Sequence, residues 1–89
     1  MKKDKEKIKR FVDAQSASLN RTGPLGLQQT HVAVERILTE LRMSKDVLGL
    51  NPEDVEKAGK MLRTASSVPD LLTGLAKLAQ EWLSAAESG

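Results

Sequence analysis

PDLLTGLAKLAQEWLSAA, residues 69–86, sorts its side chains by angle rather than by alternation. At about 100° per residue, Leu71, Leu72, Leu75, Ala76, Leu78, Ala79, Trp82, Leu83 and Ala86 fall within an arc of about 160°. Asp70, Thr73, Lys77, Gln80, Glu81, Ser84 and Glu87 occupy the other side. The period is that of an amphipathic α-helix, and burying each large apolar side chain contributes about 1.5–3 kcal/mol. Pro69 suits a first helical position, and Ser67 stands three residues before Asp70 as in a capping box. Val68, preceding a proline, resists helical angles, so the start is open by one residue.

Working outward from this helix, turn-forming residues cut the remaining chain at Asn20 to Gly26 (NRTGPLG), Ser44 to Asn51 (SKDVLGLN) and Ser66 to Pro69 (SSVP). No segment between them alternates with period two. The second segment sets Leu27, Val34, Ile37, Leu38, Leu41 and Leu48 on one stripe, with Val32 and Met43 facing away from it. The first offers a narrower stripe of Ile8, Phe11, Val12 and Leu19, which Asn20 would close in the left-handed conformation. The third opens on GLNPEDVEKAGKML, residues 49–62. Asn51 is a preferred N-cap, Pro52 fits the first helical position, Glu53 and Asp54 face the positive helix end, and Leu50 and Val55 have hydrophobic-staple spacing. Gly49 supplies the positive φ that ends the preceding turn. Val55, Ala58, Met61, Leu62 and Ala65 then form the apolar side of this helix.

The expected fold is all-α, a small bundle of four helices over roughly residues 4–19, 27–43, 52–65 and 69–86, forming one helical domain over residues 1–89. Composition agrees, because 39% apolar residues with one Phe, one Trp and no Tyr leave Leu, Val, Ile and Ala to fill the core. A chain of this size buries only roughly 60–65% of its unfolded surface, so oligomerisation is one way to complete the bundle.

The absence of cysteine excludes a disulfide scaffold, a thiol nucleophile and thiolate metal sites. His31 is the single histidine, and Glu35 four residues on is its one obvious partner, too few groups for a metal site. No glycine-rich phosphate loop, no Ser/His/Asp set and no paired inward carboxylates appear. An enzyme is therefore not expected, nor a cofactor, a metal or a small-molecule substrate. The first twelve residues, MKKDKEKIKRFV, are charged where an export signal needs an apolar run, and no stretch reaches the length of a membrane span. The sequence reads as cytoplasmic.

Charge is uneven. Residues 1–10 carry six basic side chains against Asp4 and Glu6, giving +4, while the rest carry eight against ten, giving −2, within a net charge of +2. Residues 1–7 read as a basic arm that frays or forms a solvated helix end.

Two functional readings follow. The leading one is a small protein-protein interaction module, a regulator, inhibitor or assembly subunit that presents an apolar helix face to a partner or to a second copy. A helix with one neighbour needs an arc of about 100°, and the fourth helix has about 160°. Leu72, Ala76 and Leu83 at one margin, with Trp82 as anchor, are the expected contact residues. The alternative is a helix-turn-helix DNA-binding domain, in which Lys57, Lys60 and Arg63 on the third helix and Lys2, Lys3 and Lys5 in the arm meet nucleic acid. Against it, Glu53 precedes Lys57 and Glu56 precedes Lys60 by four residues, the spacing of self-neutralising pairs. Lys45 also stands where the packing of that motif wants a small residue.

Overall fold

Each helix is set by local chemistry that can be followed bond by bond. The computed structural model describes residues 3–88, with the backbone alone at Ser88. Four helices make up the fold: α1 (Lys5–Thr22), α2 (Leu27–Leu48), α3 (Pro52–Leu62) and α4 (Val68–Ser88). No strand occurs among the described residues. The protein is an all-α bundle of four helices.

Asp4 caps α1 by accepting a hydrogen bond from the Lys7 backbone N–H at 3.1 Å. The helix runs past Asn20 and stops at Gly23, whose φ of 80° and ψ of −166° are open in practice only to glycine. Among the described residues no non-glycine residue has positive φ, so the expected left-handed closure at Asn20 does not form, and a glycine of positive φ but extended ψ ends the helix three residues later.

α2 extends five residues beyond the expected end at residue 43. Ser44, Lys45 and Asp46 have turn-forming character, yet Leu48 lies seven residues after Leu41 on the core side and is 3% exposed, so burial carries the helix through them. It ends in a Schellman motif: Gly49 adopts φ 76° and ψ 25°, its N–H donates to the Asp46 carbonyl at 3.2 Å, and the Leu50 N–H donates to the Lys45 carbonyl at 2.9 Å. Leu27, expected in the core stripe, is instead 57% exposed. It is the first residue of α2, eight residues before Glu35, which pairs with Arg63 at the end of α3.

Asn51 begins α3 with a complete capping box: its Oδ1 accepts from the Asp54 N–H at 2.8 Å, and the Asp54 carboxylate accepts from the Asn51 N–H at 3.0 Å. Leu50 and Val55, the expected staple pair, are both buried. The helix ends at Leu62 rather than 65, but Ala65 still reaches the core through the turn that follows. α4 starts at Val68, one residue before the proline. Ser67 Oγ accepts from the Asp70 N–H at 3.4 Å, while the Asp70 carboxylate reaches back to the Ser66 hydroxyl at 3.1 Å rather than to Ser67.

Contacts between opposite ends, Asp4 with Leu48, Arg63 with Glu35 and Lys57 with Glu81, set successive helices antiparallel, within an envelope of 38 × 21 × 18 Å. α4 packs principally on α1 and α2 on α3, with α1 against α2 and α3 against α4 closing the ring. On α4, Val68, Leu71, Leu75, Leu78 and Trp82 are buried at alternating steps of three and four residues, the seam of a bundle helix. α1 answers with Ile8, Val12, Gln15 and Leu19, all buried. The N-terminal segment is tied to the α2–α3 turn: the Asp4 N–H donates to the Leu48 carbonyl at 2.9 Å, and Lys3 Nζ lies 3.2 Å from Asp54.

Candidate interaction surface

The wide apolar arc of α4 is largely spent inside the bundle. Trp82 is 5% exposed and belongs to the core, so the expectation that it anchors a partner is corrected: α1, with α2 and α3, covers the arc on which it sits. Leu72 and Leu83 are half-buried against the core and Ala76 is exposed, which leaves a thin margin of small apolar surface.

The cations nominated for nucleic acid are dispersed and paired. Lys2 lies outside the described residues. Lys3 meets Asp54, and Lys5 meets Glu87 on α4 at 2.7 Å. Lys57 pairs with Glu81 on α4 at 3.3 Å rather than with Glu53, whereas Lys60 faces Glu56 at 3.9 Å as its spacing indicates. Arg63 grips Glu35 through two bonds, Nε at 2.9 Å and an Nη at 3.2 Å. That fork holds the Glu35 carboxyl below its ordinary pKa, chiefly through the hydrogen bond, and raises Arg63 correspondingly. Hydrogen bonding to Lys5 lowers Glu87 in the same way and raises Lys5.

What remains uncovered is on α2. Its Leu27, Val32, Met43 and Val47 are 57%, 66%, 80% and 59% exposed, and they are the large hydrophobics so exposed among the described residues. At about 100° per residue Val32, Met43 and Val47 fall within about 60° of one another, along about 22 Å of helix. Arg36 and Thr39 lie between them on the same face, and Arg36 reaches Glu40 at 3.5 Å. At the N-terminal end this stripe opens into an apolar recess of about 280 Å³, where Val32 and Ala33 meet Leu19 and Leu25. Scattered exposed hydrophobics are ordinary on any protein, but their gathering on one helix is not. The outward orientation of Val32 and Met43 was legible from helical period; Val47 was not, because its segment read as a turn.

A second feature lies on the adjoining side of α2. Between α2 and α3 a cleft of about 490 Å³ has Leu38, Pro52, Val55 and Gly59 as its apolar lining and Arg42, Lys45, Lys60, Arg63 and Glu56 as its charged one. Gly59 keeps it open: a Cβ there would stand 3.2 Å from the Arg63 guanidinium and 3.8 Å from a Leu38 methyl. Nothing in the period of any one helix marks this cleft, because its two walls come from different helices. Among the described residues, no three His, Asp or Glu side chains gather as a metal site would need, and no helix is long and apolar enough to cross a membrane. No protein-family model, curated protein or solved structure matches this chain.

Proposed function

We propose that this chain is a small, non-enzymatic protein-protein interaction module whose docking face is the outer side of α2. The observation that carries the reading is the concentration of exposed Val32, Met43 and Val47 on one face of one helix, in a fold whose other large apolar side chains among the described residues, Leu27 apart, are covered or half-covered. A second copy of the chain is a self-complementary occupant. In an antiparallel arrangement centred between Thr39 and Glu40, Val32 faces Val47 of the other copy, Met43 faces Arg36, and each Arg36 comes within reach of both Glu40 carboxylates. Two-fold association of this kind uses one patch twice.

The helix-turn-helix alternative gains no support from the charge pattern. Lys3, Lys5, Lys57, Lys60 and Arg63 each already face a carboxylate, and phosphate neutralisation is what drives duplex binding.

Sedimentation equilibrium across micromolar to millimolar concentration tests the proposal. The wild-type mass is expected to rise from the 9.7 kDa monomer towards the dimer. The triple variant Val32→Ser, Met43→Ser, Val47→Ser is expected to remain monomeric with its helical circular dichroism intact, since these side chains contribute little to the core. Identical monomeric behaviour in both proteins would remove the α2 face as a self-association surface.

A further inference from the structure

The cleft between α2 and α3 combines an apolar lining with a cationic rim, and it is the rim that the outer face of α2 lacks. Leu38, Val55 and Gly59, all buried, form the floor of the cleft beside the exposed Pro52. Around them stand Arg42, Lys45, Lys60 and Arg63, with Glu56 as the one acid lining the cleft. Arg42 makes no ion pair among the described residues, and Lys45 pairs only with its chain neighbour Asp46, which is itself directed into solvent. Beyond Arg63 the depression continues along α2 as a second recess formed by His31, Val34 and Glu35. Arg63 lines both recesses and joins them into one groove, while its partner Glu35 lines the second. From His31 to Lys45 that groove follows about 21 Å of α2.

We propose that this groove binds an acidic amphipathic helix from another protein, with an apolar side chain seated on Leu38, Val55 and Gly59 and flanking carboxylates on Arg42, Lys45 and Arg63. Charge complementarity selects the occupant's sign, and the apolar lining selects its stripe. The length, roughly that of a helix of about 14 residues, selects an extended ligand over a compact one. The polar groups stand at the rim and none is buried in the floor, so nothing there fixes the orientation of a small molecule. Duplex DNA is a poorer fit, because its binding is driven by neutralising phosphates and the four cations of this rim have Glu35, Asp46 and Glu56 beside them. When the helix docks, one of its carboxylates replaces Glu35 on Arg63. The intramolecular fork is thus a competitor that sets the affinity. This site is separate from the outer face of α2 and does not depend on the self-association proposed above.

The test uses the full chain and a fluorescein-labelled peptide of about 14 residues, with leucines at helical spacing and glutamates flanking that stripe, followed by fluorescence anisotropy. Binding in the micromolar range at low salt is expected. Arg42→Glu with Lys45→Glu is expected to weaken it by at least about tenfold. Gly59→Ala, which narrows the floor while favouring the helix, is expected to weaken binding with the thermal midpoint unchanged or raised. Glu35→Gln is expected to tighten it several-fold, because it frees Arg63. The outer-face triple variant is expected to leave the affinity unchanged; if it abolishes peptide binding, the peptide occupies the outer face and the groove proposal falls while that face stands. Absence of binding up to about 1 mM, equal binding of a scrambled peptide of the same composition, or tighter binding of a short DNA duplex would each overturn the proposal.

Discussion

Gln15 occupies a position that the packing of α1 reserves for an apolar side chain. It follows Val12 by three residues and precedes Leu19 by four, and it is 7% exposed. Its amide N–H donates to Glu40 at 2.6 Å, but its Oε1 is buried without a hydrogen-bond partner among the described residues. An acceptor stranded in this way costs about 1–3 kcal/mol. Glu40 loses little if the amide is removed, because it is half exposed and Arg36 lies 3.5 Å away. Gln15→Met keeps the volume and removes the orphan, so it is expected to raise stability by about 0.5–1 kcal/mol, a few degrees in thermal midpoint. A clear fall in the midpoint would mean that the bond to Glu40 outweighs the stranded oxygen. Period alone would have found this residue, since Ile8, Val12, Gln15 and Leu19 follow steps of four, three and four. A polar residue type concealed it, and Phe11, which looked like part of that stripe, is only partly buried.

At the scale of the element, α3 depends most on its ends. With 11 residues it is shorter than the roughly 12–15 at which an isolated helix becomes even marginally stable, so packing and capping must hold it. Asn51→Ala removes the acceptor for the Asp54 N–H and breaks the reciprocal box, and is expected to lower unfolding free energy by about 1 kcal/mol, within a range of about 0.5–2. Urea denaturation would show a lower midpoint with an unchanged slope, and Asn51→Asp should recover most of the loss. An unaltered midpoint in Asn51→Ala would place the stability of α3 elsewhere. This cap was legible because every atom it uses lies within four residues. The end of α2 was harder to read, since Ser44, Lys45 and Asp46 have turn-forming preferences and the decision rests on burial of Leu48 against other helices. α3 ends three residues short of its apolar phase for a related reason: Ala65 keeps that phase while reaching the core from a turn.

Across the whole molecule, the choice of neighbours was the least legible feature. The apolar arc of α4 was wide enough for two partners, but nothing local said that α1, with its charged first half, would be the principal one. The same uncertainty separates the expected contact margin on α4, with Trp82 as its anchor, from the exposed surface on α2, whose outward side chains become conspicuous only once the other faces are filled. The cleft was illegible because Arg42 and Lys45 come from one helix and Gly59 and Lys60 from another. Long-range pairing also decides the charges: Lys5–Glu87 joins the start of α1 to the end of α4, and Arg63–Glu35 joins α3 to α2. Both carboxylates are held below their ordinary pKa of 4.5 in the folded chain, mainly by the hydrogen bond from the partner cation. The unfolded chain therefore takes up protons first as pH falls. The stability these pairs contribute is present above the unfolded carboxylate pKa and is lost as pH drops through the lower folded values. Both pairs are exposed, so the effect is screened by salt. Thermal midpoints measured from pH 6 downward should fall below about pH 4.5. The gap between wild type and a Glu35→Gln, Glu87→Gln variant should close over the same interval, and close further in high salt. A gap that stays constant through acid would show that these two carboxylates do not couple folding to protons, and the helix pairing would then rest on the apolar seam alone.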